Sequence, residues 1–548
     1  MAMAKGDYSN ADRIVDTSLK AVGFRHKQTI KFLDRLHLIK RNELGSTDRV
    51  SYDLFDLQLS RAIDGHRFHE HLMPIGSLQG IHQDIPQSAD RIRFANIDDY
   101  RNYVRRLEKQ PQAIDDTIRF MRLGISEKRT PPKITLAGVP AQVEAIVEGS
   151  ALDELAKPFD NFPKHIPAAD RESVRTSFDR ALPPLRAALR RYLNYITDDY
   201  LPNCRDSIAA TDLPDGIDYY NHKLRTYTTT DLTAVEIHNI GLSEVARIRS
   251  EMMTVIRRSD FSDLDPSTKS LTDDELFAAF VEYLRNDPRF YHTSEEALLA
   301  GYRDICKRVD GSLPKLFRTL PRLPYGVSEM PKFIAPTQTT AYYQQGDIRN
   351  AQAGFFVANT YALDQRPKYE MIPLALHEAA PGHHLQIALA QEIQGLPEFR
   401  KNAYFIAFGE GWALYSERLG IEMGMYEDPY DDFGRLLYEM WRACRLVVDP
   451  GMHALGWSRD RAIQFMLSNT ALSQLNIENE IDRYIGWPGQ ACAYKIGELK
   501  IRELRAKSEK ALGKHFDLRE FHDVILGAGS LPLTILEARI NQWIDSQK

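Results

Sequence analysis

His377-Glu378-Ala379-Ala380-Pro381-Gly382-His383-His384 is the stretch from which the rest of the chain can be read. It follows the apolar run Pro373-Leu374-Ala375-Leu376, where the proline suits the first turn of a helix because its missing N–H costs nothing there. A His-Glu pair on a buried helix, with a second histidine one turn later, is the pattern in which two imidazoles grip zinc. The intervening glutamate then serves as general base toward a water. Here the residue four after His377 is Pro381. Proline cannot donate to the carbonyl of His377 and its ring collides with it, so the spacing predicts a kink or bulge, eased by Gly382. In a straight helix His384 would share a face with His377 but lie about 10.5 Å further along the axis, a long reach for two ligands of one ion. With two residues looped out, His383 takes the place one turn on. We therefore expect His377 and His383 as ligands, and His384 as a group supporting them or contacting substrate.

A third ligand is expected from another helix. Gly409-Glu410-Gly411-Trp412-Ala413-Leu414-Tyr415-Ser416-Glu417 carries two carboxylates two turns apart on one helix face. Glu410, flanked by glycines that allow close approach, is the expected ligand, and Glu417 the expected partner of a ligating histidine. His453 is read as lining the cleft and hydrogen-bonding substrate, against the plainer alternative of a helix-start histidine held by Asp449. Arg442, Arg445, Arg483 and Lys495 are candidate anchors for a peptide carboxylate, although only a guanidinium fork gives bidentate recognition. His66, His69 and His71 form a rival cluster with Glu70. Their spacing does not match one helix face, and they read better as a solvated helix end.

The surrounding chain supports a folded helical body. It has 548 residues, 43% hydrophobic and 27% charged, with a net charge of −6, so neither nucleic acid nor an anionic membrane is expected as partner. Cys204, Cys306, Cys444 and Cys492 include no close pair, which excludes a Cys-x-x-Cys knuckle and a disulfide-rich scaffold. No run approaches the roughly 20 apolar residues of a membrane helix. The opening MAMAKGDYSNADRIVDTSLK lacks the apolar core of a signal peptide, so a cytoplasmic location is expected. A periplasmic or secreted one applies if a leader has been removed.

Amphipathic spacing predicts helices over Ala11–Lys40, Leu54–His69, Ile97–Leu123, Ala141–Glu154, Glu172–Asp199, Asp231–Ile256 and Asp273–Asn286. Pro183-Pro184 is expected to kink or split the fifth of these. The texture changes near Gly311. From Leu313 to Tyr361 prolines and β-branched or aromatic residues replace the helical period, and Thr339–Gln344 and Gly354–Asn359 read as strands of a small sheet. Gly354–Asn359 is either an edge strand able to pair with a peptide or a plain sheet strand. Helices resume from Pro373.

HEAAPGHHLQ, EGWALYSERLG, RLVVDPGMHALGW and RYIGWPGQACAYKIGELKI, in that order, resemble the bacterial family known as domain of unknown function 885. That family is thought of as related to the Glu-ligated zinc peptidases, including angiotensin-converting enzyme, thimet oligopeptidase and the Taq-type carboxypeptidases. Those carry His-Glu-x-Gly-His, a glutamate on a following helix and a tyrosine about a hundred residues later. This chain keeps the Gly-His step as Gly382-His383 and departs by a two-residue insertion. The resemblance implies that Tyr494, in Pro488-Gly489-Gln490-Ala491-Cys492-Ala493-Tyr494-Lys495-Ile496-Gly497, stabilises an oxyanion. Tyr484 is its alternate, with Arg483 and Gln490 beside it as substrate contacts.

These readings combine into a mainly α protein with a deep cleft and a small β-sheet beside a one-ion zinc site. An N-terminal half, 1–310, is expected to form one cleft wall, and 311–548 the catalytic half, the two continuous with each other. The expected activity is hydrolysis of peptide bonds in unfolded peptides, by a carboxypeptidase or oligopeptidase, with Glu378 as base. A zinc hydrolase of a non-peptide amide or ester, and a catalytically dead metal- or peptide-binding protein, remain as alternatives. Monomer and homodimer stay equally open.

Overall fold

Short caps and apolar stripes, rather than long uninterrupted propensity, set the helix limits in this chain. The computed structural model describes residues 10–547 apart from 78, 90–91, 333 and 349–350. The first residues of the opening stretch, in which no leader was read, lie outside the described residues. Two compact units result, one of residues 1–40 with 56–219 and the other of residues 41–55 with 220–548. The sequence boundary drawn at 310/311 instead falls inside the second unit.

In the first unit, α1 (Leu19–His37) starts at the Ser18 cap. α2 (Ile97–Ser126) starts at a capping box in which Asn96 and Asp99 satisfy each other's backbone N–H groups. α3 (Ala168–Tyr195) runs through Pro183 and Pro184 without being split. Both prolines are exposed, as are Asp179 and Arg180, whose carbonyls lose their helical donors, so water can take the missing bonds. The core around α2 and α3 mixes aliphatic with aromatic side chains, among them Phe159 and Phe178 with ring centroids 4.5 Å apart.

In the second unit, α4 (Ala234–Arg258) begins at the Thr233–Glu236 capping box, and α5 (Glu295–Leu316) crosses the expected texture change at Gly311 intact. Three strands follow: β1 (Tyr325–Glu329), β2 (Ala341–Gln344) and β3 (Gly354–Ala358). β3 is central, parallel to β1 and antiparallel to β2, so both its edges are taken and it cannot act as the edge strand one reading allowed. Then come α6 (Met371–Glu378), α7 (His383–Glu392), α8 (Ile406–Leu419), α9 (Pro429–Ala454), α10 (Gln474–Gly486) and α11 (Ala493–Leu512). α9 is buried along most of its length and packs on α4, while α8 and α11 cross with Gly411 against Gly497. A Cβ on Gly497 would run into the Ala407 carbonyl, so the glycines let two backbones meet beside Glu410. The four cysteines are free and buried, and no described helix is long and apolar enough to cross a membrane.

Candidate metal centre

α6 is apolar and buried from Met371 to Leu376, which plants His377 and Glu378 at its inner end. The helix stops at Glu378, with a cis peptide between Ala380 and Pro381, and α7 starts afresh at His383. The break is therefore complete, where the sequence suggested a kink or bulge in one helix. A Cβ at Gly382 would collide with the carbonyls of Leu376 and His377, so only glycine lets the chain turn back across the helix end. The turn is pinned from α8 by Trp412, whose Nε1–H donates to the Pro381 carbonyl at 2.8 Å.

The consequence is that His377 and His383 face each other from two helices, ring centroids 4.8 Å apart and planes at 89°. Glu410 completes the group: its Oε2 lies 3.5 Å from Nε2 of each histidine. One donor atom from each of the three residues falls within 4.8 Å of the others. Two imidazoles and a carboxylate, largely withdrawn from water, are a donor set for a transition-metal ion that leaves coordination positions open. His377 Nδ1 is 2.7 Å from Glu417 Oε1, which fixes the ring so that Nε2 faces Glu410. Arg442 Nη2 stands 3.6 Å behind Glu417. His383 Nδ1 has no hydrogen-bond partner among the described residues.

The electrostatics match a site prepared for a cation. Burial alone would lower the pKa of His377, but hydrogen bonds to Glu410 and Glu417 raise it to about 9. Burial works to raise Glu410, yet His383 and His377 hold it far below the usual carboxylate range. His384 is pushed down to about 4 by burial and stays neutral. Its Nδ1 is 2.9 Å from the Tyr343 hydroxyl and its ring 4.7 Å from that of Tyr325, so it fastens α7 to the sheet and does not join the ligand group.

Two tyrosines flank Glu410. Tyr494, on the first turn of α11, is half-buried, with the Arg445 guanidinium 4.6 Å over its ring. Tyr404, which the sequence reading missed, has its hydroxyl pushed above the usual tyrosine range by burial and by the nearby charges of Glu410 and Glu378. The residue keeps 48% of its surface exposed, but its hydroxyl end lies where a side chain at Gly409 would sit. The signal was faint: an aromatic residue at the entry to the helix, and a glycine just before the glutamate.

Other expected substrate contacts are occupied by the fold. His453 is fully buried in the last turn of α9, with Nε2 3.0 Å from the Tyr484 carbonyl and its ring 5.3 Å from Tyr220. It is thus neither a cleft group nor at a helix start. The Tyr484 hydroxyl receives Arg445 Nε at 2.7 Å and donates to Glu480 at 2.6 Å. Arg483 spends its fork on Glu480 and on Gln490 Oε1. Lys495 is wholly enclosed, its ammonium 2.7 Å from Glu439, 2.8 Å from Glu498 and 3.1 Å from Glu244. A buried charge so paired cannot be lent to a substrate without a large desolvation loss.

Fold and centre together define a mainly helical protein with a buried His/His/Glu group that could hold a metal ion. The chain belongs to the family described as "Bacterial protein of unknown function (DUF885)", whose model matches residues 1–540. It is similar in structure to a candidate lipoprotein from Colwellia psychrerythraea, at 27% identity and TM-score 0.87, over 98% of this chain and 93% of that one. A candidate lipoprotein of unknown function from Shewanella oneidensis is similar at 18% identity and TM-score 0.77, over 98% and 95%. An M32 carboxypeptidase from Deinococcus radiodurans R1 aligns at 12% identity and TM-score 0.31, over 92% and 94%. No curated protein matches the sequence.

Proposed function

We propose that this chain is a zinc-dependent hydrolase, specifically a metallopeptidase acting on unfolded peptides, with His377, His383 and Glu410 holding one Zn2+. The observation that carries the reading is the meeting of those three side chains with Glu378 held next in sequence to His377 at the end of α6. Zinc fits because two imidazoles and one carboxylate with an open position are its catalytic donor set. When bound, the ion supplies Lewis acidity, acidifying water and polarising a carbonyl.

The chain's own residues supply the rest. Glu378 takes the proton of the attacking water and passes it to the departing nitrogen. The Tyr404 hydroxyl, which feels the charges of Glu410 and Glu378, donates to the oxygen on which negative charge develops, and Tyr494 stands beside it as a further donor. Glu417 holds the His377 ring so that Nε2 faces Glu410, where it would be free to hold the ion. The likeness to two candidate lipoproteins supports a location at the cell envelope in preference to the cytoplasm.

A panel of fluorogenic peptides with free and blocked ends, run with matched esters on zinc-loaded protein, tests the activity. Peptide cleavage abolished by chelation and by Glu378→Gln is expected. Ester turnover with every peptide intact would replace the peptidase reading with a non-peptide hydrolase, and no turnover at all would leave a metal-binding protein.

A further inference from the structure

α1 is attached to its unit along one side. At about 100° per residue, Val22, His26, Thr29, Leu33 and Leu36 fall on one half of the helix surface, and all are buried or half-buried. His26 stacks on His66 with ring centroids 3.7 Å apart, and His37 Nε2 meets Asp56 Oδ1 at 2.6 Å near the other end. The opposite half carries Lys20, Phe24, Lys27, Lys31, Phe32 and Arg35, all exposed. Asp34, the only acid in the helix, lies at the margin of that half.

Two properties of this outer half belong together. Phe24 and Phe32 keep 61% and 45% of their surface in water, and Leu38, just past the last turn, keeps 82%. Single exposed apolar residues need no explanation, but aromatic side chains gathered on one side of a helix mark a surface that something covers. The helix also holds five Lys or Arg against one Asp, a net +4 in a chain whose total is −6. The average from which no anionic membrane was expected therefore conceals a local excess of the opposite sign. Lys27 and Lys31 meet no acidic partner among the described residues, while Arg25 Nη1 is spent on the Asp16 carbonyl. The Arg35 guanidinium lies 5.8 Å from the Phe32 ring, so cation and aromatic stand side by side.

We propose that the outer half of α1 is a docking surface for an anionic phospholipid membrane. With the helix in the plane of the interface, Phe24 and Phe32 enter the boundary between headgroups and acyl chains. The lysine stems bend back so that their ammonium groups meet phosphates. A second copy of the chain would set like charges against each other across the same face. Cations alone would suit nucleic acid, but the phenylalanines between them fit a partner that is apolar beneath an anionic layer.

The test is co-sedimentation of the full chain with vesicles of about one-third phosphatidylglycerol in phosphatidylcholine, against vesicles of phosphatidylcholine alone. The protein should pellet with the anionic vesicles, stay in solution with the zwitterionic ones, and be released as salt rises from about 0.05 to 0.5 M. Lys27→Gln with Lys31→Gln should weaken binding by about 25-fold, and Phe24→Ser with Phe32→Ser by at least about tenfold. Hydrogen exchange of the wild-type protein gives a readout free of any substitution: amides of Leu19–His37 should slow when anionic vesicles are added. No pelleting with anionic vesicles, equal pelleting with both kinds, or binding that leaves either the exchange of this helix or the paired variants unchanged would overturn the proposal. So would a dimer lost in the phenylalanine variant, or retention of duplex DNA, without vesicle binding. Neither measurement uses turnover, so the outcome stands apart from the hydrolase reading.

Discussion

His377 and Glu417 lie 40 residues apart in sequence and meet through a 2.7 Å contact between Nδ1 and Oε1, both side chains almost wholly enclosed. The carboxylate fixes which ring nitrogen carries the proton, and thereby which one faces Glu410. It also comes from the helix that supplies Glu410, two turns further on, so one helix delivers a ligand and the support for another. Glu417→Gln should keep the fold but weaken zinc binding by about 10- to 100-fold, as for other partners of metal-bound histidines. Competition with a chromophoric chelator measures it, and unchanged affinity would remove Glu417 from the account.

Metal binding should release a proton. In the metal-free protein His377 titrates at about 9, because Glu410 and Glu417 outweigh the burial that would lower it. Below that pH the ion must displace the Nε2 proton, so affinity should rise by up to about tenfold per pH unit toward 9 and then level off. Calorimetry at pH 7.5 in buffers of different ionisation enthalpy should show about one proton released per ion. The same shift has a stability consequence. The folded pKa is raised above the ordinary 6.5, so the pair stabilises the metal-free protein fully below about 6.5 and that contribution fades as pH rises through 9. Melting of the metal-free protein against pH should show this fall.

Glu378→Gln should retain zinc stoichiometry while lowering kcat by roughly 10²- to 10⁴-fold, the range for a lost general base. Metal analysis run alongside kinetics separates a lost base from a lost ion. Full activity in this variant would assign the proton transfer elsewhere.

Tyr404 and Tyr494 should separate in the same assay. Both hydroxyls feel the charge of Glu410, but Tyr404 also feels Glu378, whereas Tyr494 lies beside the cations Arg445 and Arg483. Tyr404→Phe is expected to lower kcat by about 10²-fold with KM little changed, as for a lost oxyanion donor, and Tyr494→Phe by less. The reverse order would make Tyr494 the principal donor.

How much of this was legible in the sequence follows from what each feature depends on. That His377, His383 and Glu410 come together, with Glu417 on His377, could be anticipated because a metal-binding pattern needs particular side chains at particular spacings. The three-stranded sheet could be read from its prolines and aromatics, but its order could not: that β3 is central depends on partners outside the strand. Lys495 and His453 read as substrate groups because charge and sequence position are visible while their partners are not. Glu244 and Glu439 come from α4 and α9, and the carbonyl that meets His453 from α10. Tyr404 escaped notice because its place depends on an absent side chain at Gly409. The break after Glu378 was expected only as a distortion, since nothing local to Pro381 shows that a new helix starts at His383.

The central claim is that three side chains, from α6, α7 and α8, share one zinc ion. Anomalous diffraction on either side of the zinc absorption edge, from zinc-loaded crystals, tests it most directly. A peak should lie about 2.0–2.2 Å from Nε2 of His377, Nε2 of His383 and a carboxylate oxygen of Glu410. A peak ligated by His384 in place of His383, or no peak between these three residues, would contradict it.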